Sequence, residues 1–204
     1  MALTITDICN QALARVGAKT VMSIDDGESK GARACLNAYD ATVNEVARSG
    51  TWNCLTKRAQ LARLVTVPAF EWAYQYQLPV DLMLLLELNG VEYHGEPQDE
   101  WVIEGRLLLT DAETALVRYV ALITDTTQWD ALFTNAVVVL LAAKIAVPIR
   151  QDEQLMTALM GEYQRVLGNA RMRDGNEGRR HRWNPTLQSR WVNARYGSTN
   201  DGDV

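Results

Sequence analysis

Apolar residues return every three or four positions at both ends of the chain and every second position in its middle. Ile5, Ile8, Cys9, Ala12, Leu13 and Val16 make one stripe, which predicts an amphipathic helix. Thr4 or Thr6 can cap its start, and Gly17 stands where a left-handed C-terminal cap is expected. A loop follows in which Ser23, Asp25 and Asp26 offer the next cap. Cys35, Tyr39, Thr42, Val43 and Val46 then share a face of a second helix that runs to about Ser49, with Gly50 ending it. Two helices joined by a short loop usually pack antiparallel.

The period changes after Thr51. Val65 and Val67 precede Pro68, which should stop a strand or hold it at a sheet edge. Tyr74, Tyr76 and Leu78 alternate with Gln75 and Gln77, the pattern of a half-buried strand. Asp81 to Leu88 is a denser apolar run, either a buried strand or a short helical piece. Asn89-Gly90 is a strong hairpin signal. Trp101-Val102-Ile103, Glu104-Gly105 and Arg106 to Leu109 read as a second hairpin, and Leu116 to Ile123 as a further strand. Such spacing predicts a small antiparallel sheet or barrel.

Helical periodicity then returns. Asp125 or Thr127 can cap a segment from about Gln128 to Val147, with Leu132, Ala136, Val139, Leu140 and Ala143 as its stripe and Pro148 as its end. A last helix is expected from Asp152, with Leu155, Leu159, Tyr163 and Val166 inward. The predicted fold is α+β. A four-helix bundle core over residues 1–50 and 125–170 carries an antiparallel β-rich lobe over 51–124, and a flexible C-terminal arm spans 171–204. The two helical pairs should share one core, since neither can bury its stripe alone.

Bulk numbers narrow the function classes. The formal charge of -5 and pI near 5.1 argue against a body that wraps nucleic acid. Cys9, Cys35 and Cys54 contain no close pair; Cys9 and Cys35 fall on apolar helix faces, as buried thiols do. A reducing compartment fits this usage. The N-terminus lacks a basic segment followed by an apolar block, so no signal peptide is expected. The longest apolar run, Ala136 to Val147, is interrupted by Lys144 and falls short of the roughly 20 residues of a membrane span, so no membrane association is expected.

Catalytic patterns find little support. His94 sits in a turn-like VEYHGEP stretch, and His181 among arginines. Neither has the neighbours of a triad or zinc site. A phosphate-binding glycine loop is absent. Asp25, Asp26 and Glu28 fit a helix-capping loop better than a calcium loop, which needs a longer alternation of oxygen ligands. Glu100 and Glu104 are a carboxylate pair of the kind common on solvated faces. No catalytic residue, metal or cofactor is expected.

The end of the chain departs from the rest. Arg171, Arg173, Arg179, Arg180, Arg182, Arg190 and Arg195 face only Asp174 and Glu177 before the polar STNDGDV terminus, with Trp183, Trp191 and Tyr196 interleaved. A stretch with so few aliphatic residues cannot fold alone. Arg and Trp are the types most enriched at binding hot spots. Asn184-Pro185 divides the arm, and Leu187, Trp191 and Arg195 lie at helical spacing, as in a short docking helix. The arm is therefore expected to order on a partner, either nucleic acid or a protein groove.

Residues along the whole body also resemble a known family. They are Ile8, Asn10, Ala12, Leu13, Val16 and Gly17; then Ile24, Ala34, Cys35, Tyr39 and Asp40; then Trp52, Arg58 and Leu61. They continue with Trp72, Tyr76, Leu78, Pro79 and Asp81, the Leu109-Thr110-Asp111 stop, and the Ala-rich stretch from Leu141 to Ala146. In order and spacing this resembles the tail tubular protein A family, the head-to-tail adaptors of short-tailed double-stranded DNA phages. Trp52-Asn53-Cys54-Leu55 stands where a Trp-Asn-Phe-Ala-like block is expected.

The resemblance implies a non-enzymatic virion protein of the tail neck, made in the bacterial cytoplasm. It implies a dodecameric ring beneath the portal protein, with the helices toward the portal, the β lobe toward the tail nozzle (a tubular protein B-like partner), and DNA as cargo in the lumen. Some such adaptors remain monomers until the portal templates the ring. On this reading the arm contacts the portal through Arg171, Arg173, Arg179, Arg180, Arg182, Trp183, Trp191, Arg195 and Tyr196. Two other classes stay open: a nucleic-acid-binding module working through the arm, and a tail-associated cell-wall hydrolase.

Overall fold

Helix α1 (Ile5–Arg15) starts with a reciprocal cap: the Asp7 backbone N–H donates to Thr4 Oγ1 at 3.1 Å, and the Thr4 N–H donates back to the Asp7 carboxylate at 2.9 Å. It ends as its sequence predicts. Gly17 takes φ +67°, and the Ala18 N–H donates to the Leu13 carbonyl at 2.9 Å, which satisfies a carbonyl the helix leaves open. Asn10 then folds the following loop back, accepting from the Val21 N–H at 2.8 Å and donating to the Val21 carbonyl at 2.9 Å. Helix α2 (Lys30–Arg48) is capped by Ser29, not by Ser23, and buries Cys35, Tyr39, Thr42, Val43 and Val46 as the periodicity requires. The structure, a computed structural model, describes residues 3–24, 27, 29–92 and 101–177.

The middle of the chain forms two small antiparallel sheets. Strands β1 (Thr56–Gln60), β2 (Tyr74–Gln77), β3 (Leu82–Leu88), β4 (Val91–Glu92), β5 (Trp101–Glu104), β6 (Leu107–Thr110) and β7 (Leu116–Ala121) are ordered β1-β7-β3-β4 in one sheet and β2-β6-β5 in the other. Both predicted hairpins are present. Asn89 (φ +50°) and Gly90 (φ +87°) close β3 onto β4, and Gly105 (φ +59°) closes β5 onto β6. The ambiguous run after Asp81 is the strand β3. Val65 and Val67 form no named strand. They lie in a loop bounded by the Arg63–Tyr76 bridge, and Pro68 denies that loop a ladder donor.

Two helices complete the mixed α/β fold. Helix α3 (Ala131–Arg150) begins later than its stripe suggested, because Asp125 caps a short 3-10 turn (Thr126–Gln128) and Asp130 caps the helix itself. Pro148 lies inside α3 and does not stop it. A proline removes one bond to the residue four earlier, and so close to the helix end a single bond is lost while the buried face from Phe133 to Ala146 carries the helix on. Helix α4 (Glu153–Glu177) starts at Asp152, whose carboxylate accepts from the Leu155 N–H at 2.8 Å. α3 packs against α1, α2 and α4 and is buried nearly all round. It is long and apolar enough to span a membrane, and that composition is what a core helix covered on several sides needs.

The helices and sheets share one continuous core. The chain crosses between them twice, and each crossing is pinned alike. Trp52 Nε1 donates to the Val46 carbonyl at 2.7 Å, and Trp129 Nε1 donates to the Ile123 carbonyl at 2.8 Å. Both indoles stand edge-on to Phe133, with centroids 5.1 and 4.8 Å away.

Candidate functional site

The basic stretch starts on a rigid support. Leu159, Tyr163, Leu167 and Ala170 turn inward along α4, and burial stops there: Arg171, Met172 and Arg173 are exposed. The helix nevertheless runs on to Glu177, about 10 Å past Ala170 at 1.5 Å per residue. The arm, expected from residue 171 on its basic and aromatic composition, therefore begins within a helix. Helical hydrogen bonds continue where side-chain burial does not.

Arg171 is tied to its own subunit: its guanidinium donates to the carbonyl of Ser49, the residue that ends α2. Tyr163 Oη lies 3.5 Å from Ser49 Oγ on the same side. Arg171 thus anchors α4, and Arg173 is the first exposed arginine beyond that anchor. Arg179, Arg180, Arg182, Trp183, Arg190, Trp191, Arg195 and Tyr196 lie outside the described residues. Because Ser49 leads directly into the first crossing, α4 passes the seam between helices and sheets before it ends. Arg48 marks the same seam, donating to the Met83 carbonyl of β3 at 2.7 Å.

The four-stranded sheet gathers charge that the sequence scatters. Its register sets Arg58 of β1 opposite Arg118 of β7, Arg118 opposite Glu87 of β3, and Glu87 opposite Glu92 of β4. Arg118 and Glu87 form an ion pair at 2.5 Å, with Glu87 almost wholly buried. Arg58 and Arg118 line an open cleft of about 520 Å³ beside the Asn89-Gly90 turn. Periodicity cannot reveal this row, because its members come from four strands and meet only through register.

On the same sheet Lys57 reaches Asp81 at 2.8 Å, and Tyr119 Oη lies 3.2 Å from the same carboxylate. Burial alone would raise the Asp81 carboxyl, but the Lys57 hydrogen bond and charge, together with the Tyr119 hydroxyl, hold it below its usual range. A depressed carboxyl stabilises the fold above its unfolded value near 3.9 and stops doing so as pH falls through the folded value. Both side chains are partly exposed, so the contribution is about 0.5–1 kcal/mol. Asp81→Asn is expected to lose that amount at neutral pH and nothing near pH 2 in urea unfolding. An equal loss at both pH values would refute the linkage. Tyr119 moves the opposite way, raised by burial and then by the Asp81 charge.

The loop from Ala62 to Ala73 projects apolar side chains outward. Val65 is 99% exposed, and Val67 and Phe70 are largely exposed. Its backbone is constrained all the same. Glu71 takes φ +67° within a three-residue turn closed by the Trp72 N–H on the Phe70 carbonyl at 2.8 Å, and Asp111 accepts from the Ala73 N–H at 2.8 Å.

Of the groups weighed for catalysis, His94, His181, Asp25, Asp26, Glu28 and Glu100 lie outside the described residues. Glu104 is exposed beside the β5–β6 turn. Among the described residues no cluster of three or more His, Cys, Asp or Glu side chains is placed to hold a metal ion. Cys9 and Cys35 are free and buried, while Cys54 is partly exposed. The Cys9 thiol is pushed up by its hydrogen bond with Cys35 and by burial, which leaves it an unreactive packing group.

Several residues that carry the family resemblance prove to hold the scaffold. Asn10 pins a loop, Trp52 pins the first crossing, and Tyr76 Oη donates to the Ala112 carbonyl at 2.7 Å. Neither a scan of protein-family models nor a search of curated proteins finds a match for this chain.

Proposed function

We propose that this chain is a structural adaptor of a phage tail neck, joining a portal to a tail nozzle within a ring that DNA traverses. The observation that carries the reading is the contrast between body and end. Residues 1–170 hold twenty-one acidic against thirteen basic side chains, whereas residues 171–204 hold seven arginines against four acids. An acidic body lets phosphate slide past where a basic one would grip it. The four helices are read as a bundle with α3 at its centre, the β part as an insertion lobe, and the residues beyond Glu177 as an arm ordered on the portal. Repeated around a ring, such arms add many individually weak contacts.

Two features support the reading. Helix α4 carries the start of the basic stretch out on a support anchored by Arg171. The apolar loop bearing Val65, Val67 and Phe70 is the kind of exposed patch that marks a protein contact, which suits a lobe facing a second partner.

Truncation after Glu177 is the appropriate test, because it spares the Arg171–Ser49 anchor. The truncated protein is expected to fold with unchanged thermal stability and to lose at least tenfold in affinity for portal rings, measured by sedimentation or electron microscopy of mixtures. Undiminished portal binding would sink the proposal. Should the full chain instead bind free duplex DNA with a steep salt dependence that truncation abolishes, the nucleic-acid module would be the better account.

A further inference from the structure

Arg58 and Arg118 stand directly opposite each other on β1 and β7, an arrangement that costs stability unless an anion lies nearby. Arg118 has Glu87 on its far side at 2.5 Å. Arg58 has no such neighbour: it is exposed at the edge of the sheet, and its side chain makes no ion pair or hydrogen bond among the described residues. The row Arg58, Arg118, Glu87 therefore runs from positive at the open edge of the sheet to negative on β3. The cleft of about 520 Å³ is lined by both arginines and by Glu87, with Gln60 and the half-exposed Leu116 also on its wall.

We infer that this cleft receives an acidic peptide segment of a partner protein, with a carboxylate on Arg58 beside Arg118 and an adjoining apolar group on Leu116. A carboxylate matches the guanidinium fork with two parallel hydrogen bonds. One negative charge neutralises Arg58 and relieves its repulsion with Arg118 without drawing Arg118 from Glu87. A nucleic-acid strand fits less well. It brings a charge every few ångströms, Glu87 is part of the cleft wall, and the surrounding body is acidic. The assignment is independent of the arm and of the adaptor reading.

Backbone amide shifts of the full-length protein, titrated with an N-acetylated, C-amidated Gly-Leu-Glu-Leu-Gly peptide that carries one carboxylate beside apolar groups, test it directly. The amides of Arg58, Ala59, Gly90 and Val117 are expected to move. Arg58→Glu should weaken the response at those amides at least tenfold, while Arg58→Lys should keep part of it. Arg58 is exposed, so neither variant threatens folding. Shifts confined to residues 178–204, an unchanged cleft response in Arg58→Glu, or an equal cleft response to a dodecamer of single-stranded DNA would each overturn the assignment.

Discussion

Phe133→Ala is expected to destabilise the protein by about 3–5 kcal/mol, the range for deleting a buried aromatic ring. For a chain of this size each kcal/mol lowers the melting temperature by about 2–4 °C. A fall of roughly 6–20 °C should therefore appear in thermal unfolding followed by circular dichroism. The position is exacting because one ring serves both passages between helix and sheet. Phe133 is fully buried in the first turn of α3, where Asp130 caps the helix through the Phe133 N–H at 2.6 Å. Its ring receives Trp52 from one crossing and Trp129 from the other.

Without that ring the two indoles lose their common support, and the carbonyls of Val46 and Ile123 are held less firmly. Trp52→Phe should then cost less, about 1–3 kcal/mol, since it keeps an aromatic ring and removes chiefly one buried N–H donor. A loss below 1 kcal/mol for Phe133→Ala would show that the crossings are held by something other than this aromatic group.

Arg118→Leu is expected to cost about 3 kcal/mol, although the arginine itself is a quarter exposed. The cost arises on the partner. Glu87 retains 4% exposure, and without Arg118 its carboxylate stays in a poorly solvated site with far less compensation. Replacing both residues, Arg118→Leu with Glu87→Leu, should restore stability to within about 1 kcal/mol of the parent, because a buried ion pair is worth little more than a well-packed apolar pair. Urea unfolding of the four proteins in a double-mutant cycle measures the coupling directly. Additive losses would mean that the pair at 2.5 Å contributes geometry and not stability.

These two sites differ in how far the sequence reveals them. The helices α1 and α2 follow from their stripes, and even the left-handed Gly17 is predicted from its place after Val16. Both hairpins follow from Asn89-Gly90 and Glu104-Gly105. These features are local: a few neighbouring residues set the backbone angles and their energy. The structure departs from the sequence pattern where two local signals compete. Ser29 caps α2 in place of Ser23, Asp25 or Asp26, Asp130 takes the α3 start from Asp125, and Pro148 yields to the buried face ahead of it.

The arm illustrates the same division. Its arginines and tryptophans are plain in the sequence, whereas the hydrogen bond from Arg171 to Ser49, more than a hundred positions away in the chain, is not. The row from Arg58 to Glu92 is invisible for the same reason. Each member sits in a strand that reads as ordinary, and only antiparallel register makes them neighbours.

By itself the sequence determined most of the elements, both hairpin turns, the acidic body and the cationic end, since each depends on residues within a few positions of one another. Tertiary structure alone decided that Phe133 joins two distant tryptophans, that Arg171 reaches the carbonyl of Ser49, and that two arginines share a cleft. Those contacts link segments whose separation along the chain carries no periodic signal, and their energies exist only once the core has brought the segments together.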